Sequence, residues 1–360
     1  MLSGMANHRR GVSLIELLVV VAIFAIIAVT VLPNIAATTE ARRSREAARM
    51  LTSFIARAQS RALGRREWSG FTLVATNASS YGAADLFLAD VPPVYRGDTV
   101  PALLTISGTG AVSRTAAWSN GSLASGSAAG VQLGDLIRFQ DRDPWFEVSA
   151  VPQPLTTGSF TFRIRGDMSG AAEDAGYQSH NTPWPPAGQQ MSFEILRQPV
   201  ASGIPLSLPD SRVIDLYWSG YGPPQVGATA AYMPFQIAPT GTATAGASTS
   251  ILYDGTGRLR QVQVKLGDGV PNRLTVTGPI FLLLGRADRA GEPNPGSFNA
   301  GDDSTGCNWQ YPDSYWIGID PFTGVAKAAE CKPNPQGVTV IERLIDSQGW
   351  IRELLLTGGS

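Results

Sequence analysis

The sequence is poor in residues that bind metals or act as nucleophiles. It has only two histidines, His8 and His180, and two cysteines, Cys307 and Cys331, among 360 residues. The cysteines lack a CxxC spacing, so the chain has too few ligands for a zinc cluster. We therefore predict no metal site and no cofactor.

The motifs of common enzyme classes are also missing. There is no GxSxG elbow, no GxxxxGK[ST] phosphate loop and no HExxH pair. Paired carboxylates such as Asp302 and Asp303 lie among turn-forming residues, which is typical of solvated loops. We predict that the protein is not an enzyme and expect no catalytic residues; an anchored hydrolase is the least favoured class.

Charge is scarce as well. Charged residues make up 16% of the chain and the formal net charge is -1. Such a chain has no global field that would attract a polyanion, so nucleic acid is not a predicted partner.

One long hydrophobic run stands out against this background. Val12 to Leu32 is almost wholly apolar, and a helix of that length spans the roughly 30 Å hydrocarbon core of a bilayer. Glu16 interrupts the run near its start. A carboxylate at the centre of a membrane helix costs roughly 2.5 to 3.5 kcal/mol, so it is normally retained for a partner. A secretory signal peptide would have a shorter apolar region followed by a cleavage site.

The stretch RRGVSLIELLVVVAIFAIIAVTVLP closely resembles the N-terminal segment of type IV prepilins and type II secretion pseudopilins. A basic leader ends at Gly11, an apolar first mature residue follows at Val12, and a glutamate comes four positions later at Glu16. Valine departs from the phenylalanine or methionine that is usual at the first position. Pro33 falls where the family places a helix-kinking proline.

This resemblance implies both processing and assembly. A prepilin peptidase would cleave after Gly11, and the freed amine of Val12 would be methylated. Glu16 would then pair with the terminal amine of a neighbouring pilin or pseudopilin subunit, because a buried carboxylate needs a cation beside it. The protein would lie in the bacterial cytoplasmic (inner) membrane as a single-pass protein with its head outside the cytoplasm, and later in a pilus or pseudopilus.

One observation opposes this orientation. Arginines after the apolar run, at Arg42, Arg43, Arg45 and Arg49, favour the opposite orientation by the positive-inside rule, although the leader arginines lie closer to the run. The competing class is an unprocessed, membrane-anchored module that binds a glycan or a protein.

The chain after Pro33 has the pattern of an amphipathic stem helix. Apolar residues recur at spacings of three and four, and Gly64 is the predicted C-cap. The segment AARMLTSFIARAQSRALGRRE also resembles the stem of FimT-like and H-type minor pseudopilins. We divide the chain into a leader (1–11), a membrane half of the N-terminal helix (12–33), a stem half (34–64) and a head (65–360).

The head has the pattern of antiparallel strands. SFTFRIRG and RQVQVKLG alternate apolar and polar residues, as half-buried strands do. Turns are predicted at Asp141–Pro144, Asp254–Gly257 and Asp320–Gly324. The run LTVTGPIFLLLG predicts the best-buried strand, broken at its Gly-Pro pair, and a short helix is predicted near 342–346.

The expected fold class is therefore α+β, with a long N-terminal helix packed on an antiparallel, β-rich, pilin-like head. The size of the head implies either insertions or two β-modules that meet near residue 200. Cys307 and Cys331 predict one disulfide if the head lies outside the cytoplasm; the alternative is two unrelated thiols. Tryptophans of the head form either core or a binding platform: Trp118, Trp145, Trp184, Trp218, Trp309 and Trp316.

Overall fold

The structure is a computed structural model of the chain. For residues 27–38, 142–144 and 233 it describes the backbone alone, and otherwise it describes residues 14–76, 81–97, 100–109, 113–119, 131–140, 142–151, 158–164, 184–209, 211–222, 232–235, 247–266, 269–276, 278–291, 306–337 and 339–357. Gly11 and Val12, where we predict processing, lie outside the described residues.

The described part of the chain starts with one long helix, α1 (Leu14–Arg65), which has 52 residues and is about 78 Å long at 1.5 Å per residue. It continues through Pro33 without a break in helical backbone; the kink predicted there stays a prediction. The predicted C-cap is wrong. Gly64 lies inside the last turn, and Arg66 adopts the left-handed conformation, with φ of 54°, that commonly ends a helix.

A six-stranded antiparallel sheet, which we call the stem sheet, follows the helix. Its strand order is β11-β3-β1-β14-β15-β16. The strands are β1 (Ser69–Val74), β3 (Asp85–Asp90), β11 (Val200–Ser207), β14 (Ser248–Tyr253), β15 (Leu259–Lys265) and β16 (Asn272–Thr275).

A second antiparallel sheet, the C-terminal sheet, packs with the stem sheet. Its order is β13-β12-β17-β18-β19, and β2 also pairs with β12. The strands are β2 (Gly82–Ala83), β12 (Arg212–Tyr221), β13 (Met233–Pro234), β17 (Ile280–Arg286), β18 (Tyr315–Ile319) and β19 (Ala326–Glu330). Two short helices, α2 (Val340–Ser347) and α3 (Gly349–Leu356), follow this sheet.

The third sheet, the inserted sheet, lies in the chain between two neighbouring strands of the stem sheet, β3 and β11. Its order is β10-β6-β7-β8-β5-β4-β9. The strands are β4 (Leu104–Ser107), β5 (Ser113–Trp118), β6 (Leu136–Phe139), β7 (Arg142–Ala150), β8 (Ser159–Ile164), β9 (Gln190–Met191) and β10 (Phe193–Leu196).

The expected α+β class is wrong. Within the described residues, 19 strands form three antiparallel sheets, so the protein is mainly β. Its stem and C-terminal sheets share one hydrophobic core, as in a large β-sandwich. The class was wrong because a long helix dominates the sequence pattern, whereas only its second half, from Ala47 to Ala62, enters that core.

The inserted sheet has its own core, built from residues such as Phe139, Phe162 and Phe193. The two clusters are separate, since alternate side chains of the inserted strands pack on one another within the second cluster. A buried ion pair joins the two units: Arg273 Nη1 of the stem sheet lies 2.9 Å from Glu147 Oε1 of the inserted sheet.

Most of the local patterns are confirmed. The strand predicted at SFTFRIRG is β8, with Phe160, Phe162 and Ile164 buried. β6 and β7 do pair as neighbours, but residues 142–144, which we predict to lie in the turn, belong to β7. The predicted turn at Asp320–Gly324 lies between the paired strands β18 and β19. The turn at Asp254–Gly257 joins β14 to β15, and the short helix is α2. β17 is buried over six of its seven residues, but β18 is buried over all five, so β17 is not the best-buried strand.

The alternation predicted for RQVQVKLG is only partly confirmed. In β15, Val262 and Val264 face the shared core as expected, but Gln261 and Gln263 are also buried. Leu136 and Leu196 of the inserted sheet lie across a small gap from these glutamines. The insertion thus covers the face that the alternation predicts to be solvated.

Candidate functional site

The first turns of α1 form an exposed apolar surface. Every residue from 14 to 26 is exposed, and the large side chains there are Leu14, Ile15, Leu17, Leu18, Val19, Val20, Val21, Ile23, Phe24 and Ile26. Burying a side chain of this kind is worth about 1.5 to 3 kcal/mol. The segment 14–26 is therefore a surface that gains free energy by being covered.

Glu16 lies in the first turn of α1, within this exposed segment. A helix N-terminus carries a partial positive charge that stabilises a nearby carboxylate. If other apolar helices cover the segment, the carboxylate leaves water and needs a cation as partner. Apolar helices that cover residues 14–26 must therefore place a cation beside Glu16.

Within the part of the chain that the structure describes, no helix is both long and apolar enough to cross a membrane. In the same part of the chain, no three histidine, cysteine or acidic side chains are placed to hold a metal ion.

The second half of α1 is fixed to the head by apolar contacts. Ala47, Leu51, Ile55, Ala58 and Ala62 are fully buried, and their spacing of three and four residues places them on one face of the helix. This is the face that the sequence predicts. Small residues at three of the five positions let the helix lie close to the sheets.

Polar contacts add a second set of anchors. The side-chain amide of Gln59 donates to the carbonyl oxygens of Gly257, at 3.0 Å, and Thr323, at 2.5 Å. The Arg61 guanidinium forms a bidentate ion pair with Asp90 of β3, in which Nε and Nη2 each donate to one carboxylate oxygen. Although partial burial raises the pKa of Asp90, the hydrogen bonds from Arg61 and Ser202 outweigh this effect and hold that pKa below its usual range.

The N-terminal end of the docked half is held by an ion pair that sequence reasoning missed. Arg212, the first residue of β12, is fully buried, and its Nη2 lies 2.6 Å from Glu40 Oε2. Burial lowers the pKa of this guanidinium, whereas Glu40 raises it. Because 172 residues separate the partners, nothing in the local sequence indicates the pair.

Asp215 is a buried carboxyl group without a sequence signal beyond its place in an apolar strand. It accepts hydrogen bonds from the backbone N–H groups of Tyr217, Trp218 and Gly291 and from the Asn308 amide, at 3.0 to 3.3 Å. Burial raises its pKa to about 7, against these four donors. Asp215 stabilises the irregular stretch of β12 after it, which is a structural role.

The predicted tryptophans fall into two groups. Trp218, Trp309 and Trp316 belong to the core of the C-terminal sheet. Trp118 and Trp184 are partly buried against the core of the inserted sheet. Trp145 is also partly buried, and the Arg138 guanidinium carbon lies 4.8 Å from its ring centroid. Trp68 is 38% exposed and was not among the predicted binding residues.

The two cysteines lie in one buried cluster. Cys307 and Cys331 belong to the core around Trp309 and Trp316, and both are present as thiols. Burial raises the pKa of the Cys331 thiol. The disulfide is thus not formed in the structure, and its formation outside the cytoplasm stays a prediction.

Comparison with known proteins identifies the N-terminal segment. Residues 6–32 match the family model of the prokaryotic N-terminal methylation motif. The N-terminal segment therefore carries the methylation motif of type IV prepilin-like proteins, as its leader and apolar run predict. The match ends at residue 32, so the resemblance of the stem to FimT-like and H-type pseudopilins stays a prediction. No curated protein and no solved structure matches the chain.

Proposed function

We propose that the protein is a minor pilin or pseudopilin, a structural subunit of a type IV pilus or a type II secretion pseudopilus, and not an enzyme. One observation carries the proposal. The methylation motif at residues 6–32 runs into a single helix whose first turns are exposed and apolar and whose second half is buried in the head.

Processing begins at the leader. A prepilin peptidase cleaves after Gly11, and the new terminal amine of Val12 is methylated. Cleavage puts a positive charge on a helix N-terminus that already carries a partial positive charge. Glu16 of a neighbouring subunit then meets this amine, so each carboxylate that leaves water gains a cation.

The apolar run from Val12 to Leu32 holds the subunit in the bacterial inner membrane, with the head outside the cytoplasm. Assembly replaces lipid with the apolar helices of other pilin or pseudopilin subunits. Because lipid tails are as apolar as leucine, the gain from this exchange comes from helix packing and from the Glu16–amine contact rather than from water exclusion.

The buried second half of α1 fixes the position of the head relative to the N-terminal half of the helix. Apolar contacts at Leu51 and Ile55, together with the Arg212–Glu40 and Arg61–Asp90 ion pairs, join the helix to both shared-core sheets. When helices pack in a filament, the heads are therefore placed at a fixed distance from the helix bundle.

Intact mass tests the processing step. We would purify the full chain from membranes of cells that co-express an active prepilin peptidase, beside a Gly11→Ala variant. We expect a species that begins at Val12 and is one methyl group heavier, and we expect the variant to keep its leader. A leader that stays on the natural chain would contradict the proposal and favour the unprocessed anchored module.

Assembly is tested with processed protein. We expect Glu16→Ala to abolish cross-linking between the N-terminal helices of neighbouring subunits while leaving cleavage intact. The matched control is Glu46→Ala, since Glu46 is an exposed glutamate of the same helix in the stem. Equal cross-linking by both variants would show that Glu16 has no role in assembly.

A further inference from the structure

A cleft of about 610 Å³ separates the stem sheet from the inserted sheet. Its walls come from the turn after α1, from the loop after β3, and from strands of both sheets. Ligand sites in proteins occur preferentially at such junctions, and their volumes usually lie between about 300 and 1,000 Å³. The cleft is separate from the exposed segment 14–26 and from the contacts that dock α1.

Two tryptophans, one from each side, contribute flat apolar surface to this cleft. Trp68, just before β1, is 38% exposed, and Trp145 comes from β7. Pro92 and Pro93 extend the apolar wall beside them. Trp68 is exposed, whereas Trp145 is partly buried and the Arg138 guanidinium lies against its ring. Indole surface that faces a cleft is suited to stacking on a flat apolar surface, and the indole N–H supplies a donor at the edge.

Polar side chains line the same cleft. Arg66, Glu67, Arg260 and Gln261 supply both hydrogen-bond donors and acceptors. Arg260 is held by Asp254, with Nε 2.7 Å from Oδ2. Gln261 is 6% exposed, so it forms part of a fixed floor.

The two walls are held at a fixed separation. The buried Arg273–Glu147 ion pair links β16 to β7, and Arg273 also donates to the carbonyl oxygen of Gly134. Gly134 approaches Pro271 so closely that a Cβ there would lie 2.2 Å from the proline Cδ. A cleft with fixed walls loses little conformational entropy when a ligand enters.

We propose that this cleft binds a neutral oligosaccharide. A pyranose ring presents C–H groups on its faces, which suit the tryptophans, and hydroxyl groups around its edge, which suit arginine, glutamate and glutamine side chains. Two arginines and one glutamate leave the cleft only weakly basic, and Arg260 is already paired with Asp254. The cleft therefore lacks the row of cations that a nucleic-acid backbone requires. The inference does not depend on processing at Gly11.

Binding would be tested with the full chain in a zwitterionic detergent, since maltoside and glucoside detergents are themselves sugars. The probes are neutral hexasaccharides of glucose, xylose, mannose and N-acetylglucosamine, with a proline-rich decapeptide for comparison. Tryptophan fluorescence and calorimetry would measure the dissociation constants. We expect at least one hexasaccharide to bind more tightly than the peptide.

Variants locate the binding. We expect Trp68→Ala and Trp145→Ala each to raise the dissociation constant of the preferred hexasaccharide about tenfold or more. A tenfold change corresponds to about 1.4 kcal/mol of binding free energy. Trp350→Ala is the matched control, because Trp350 is 41% exposed but lies on α3 and does not line the cleft. Circular dichroism would check folding, and Trp68→Phe would replace any alanine variant that unfolds.

Three results would overturn the proposal. The first is no binding of any hexasaccharide at millimolar concentration by folded natural protein. The second is binding that Trp350→Ala weakens as much as the cleft variants do. The third is tighter binding of the proline-rich peptide, which would assign the cleft to a protein partner.

Discussion

The guanidinium of Arg212 in β12 holds Glu40 of α1 by two contacts. Its Nη2 lies 2.6 Å from the carboxylate and 2.9 Å from the backbone carbonyl oxygen of the same residue. The two side chains differ in environment: Arg212 is 0% exposed, whereas Glu40 is 32% exposed. The pair joins the helix to the C-terminal sheet about two turns before Ala47, the first residue of α1 in the shared core.

This difference predicts an unequal response to mutation. Glu40→Ala leaves a buried arginine without its carboxylate, so we expect it to lower the free energy of unfolding by about 2 to 4 kcal/mol. Arg212→Met leaves a glutamate that can turn to water and fills the space with an apolar chain, so we expect a loss of about 1 kcal/mol. Denaturant unfolding of the full chain in detergent measures both.

The double variant serves as the control. Once Arg212 is methionine, removing the Glu40 carboxylate should add little, because the buried charge is gone. A double variant that is less stable than Glu40→Ala alone would show that the pair does not act as the geometry implies. Arg43→Ala tests the exposed partner of Glu40, at 3.1 Å, and we expect it to change stability by less than about 1 kcal/mol.

The apolar contacts of α1 predict that Leu51 and Leu63 contribute unequally to stability. Leu51 is 0% exposed and Leu63 is 46% exposed on the same helix. We expect Leu51→Ala to destabilise the head by about 2 to 5 kcal/mol, because it opens a cavity in the shared core. Leu63→Ala should cost less than about 1 kcal/mol. Equal losses in thermal or denaturant unfolding would mean that the helix docks differently.

The buried carboxyl of Asp135 predicts a pH dependence. Burial raises its pKa to about 6, against hydrogen bonds from the backbone N–H groups of Gln132 and Gln198. The unfolded chain has a value near 4, so the folded state binds the proton more tightly. The resulting stabilisation is fully present below pH 4 and is lost as the pH rises to about 6, by roughly 2 to 3 kcal/mol.

Asp135→Asn isolates this effect, since asparagine does not titrate. The unfolding free energies of the two proteins, measured at each pH from 4 to 7, differ by a quantity in which the other carboxyl groups cancel. We expect the natural protein to lose stability relative to the variant as the pH rises. Parallel curves would show that Asp135 titrates alike in the folded and unfolded chains.

The cysteine pair predicts a redox outcome. If the head is exported, we expect Cys307 and Cys331 to be oxidised to a disulfide, because both lie in one cluster and the extracytoplasmic space is oxidising. Denatured protein should then resist alkylation until a reductant is added, after which two alkyl groups should appear by mass. Alkylation of both thiols without reductant would establish the thiol state seen in the structure.

Local sequence patterns predicted much of the chain's secondary structure. The spacing of Ala47, Leu51 and Ile55 predicts the buried face of the stem, and the alternation in SFTFRIRG predicts β8. These predictions are confirmed because each depends on neighbours within a few residues. The left-handed Arg66 contradicts the predicted cap because nearby packing, against Gly255, sets the helix end.

Local sequence patterns do not predict the candidate cleft. The sequence gives no means of choosing Trp145 among the tryptophans of the head, and no local pattern singles out Trp68. The burial of Gln261 and Gln263 contradicts simple alternation because the inserted sheet covers them. Such contacts join residues far apart in the chain, and no local pattern records them.

The sequence by itself determined the N-terminal motif, the long helix with Glu16 near its start, and the period-two strands of the head, because these follow from residue type and spacing over short distances. Only the tertiary structure decided the mainly-β class, the Arg212–Glu40 pair and the cleft between Trp68 and Trp145. The physical reason is that each depends on which sheets pack together. The packing of the sheets is determined by the free energy of the whole chain and not by that of any one segment.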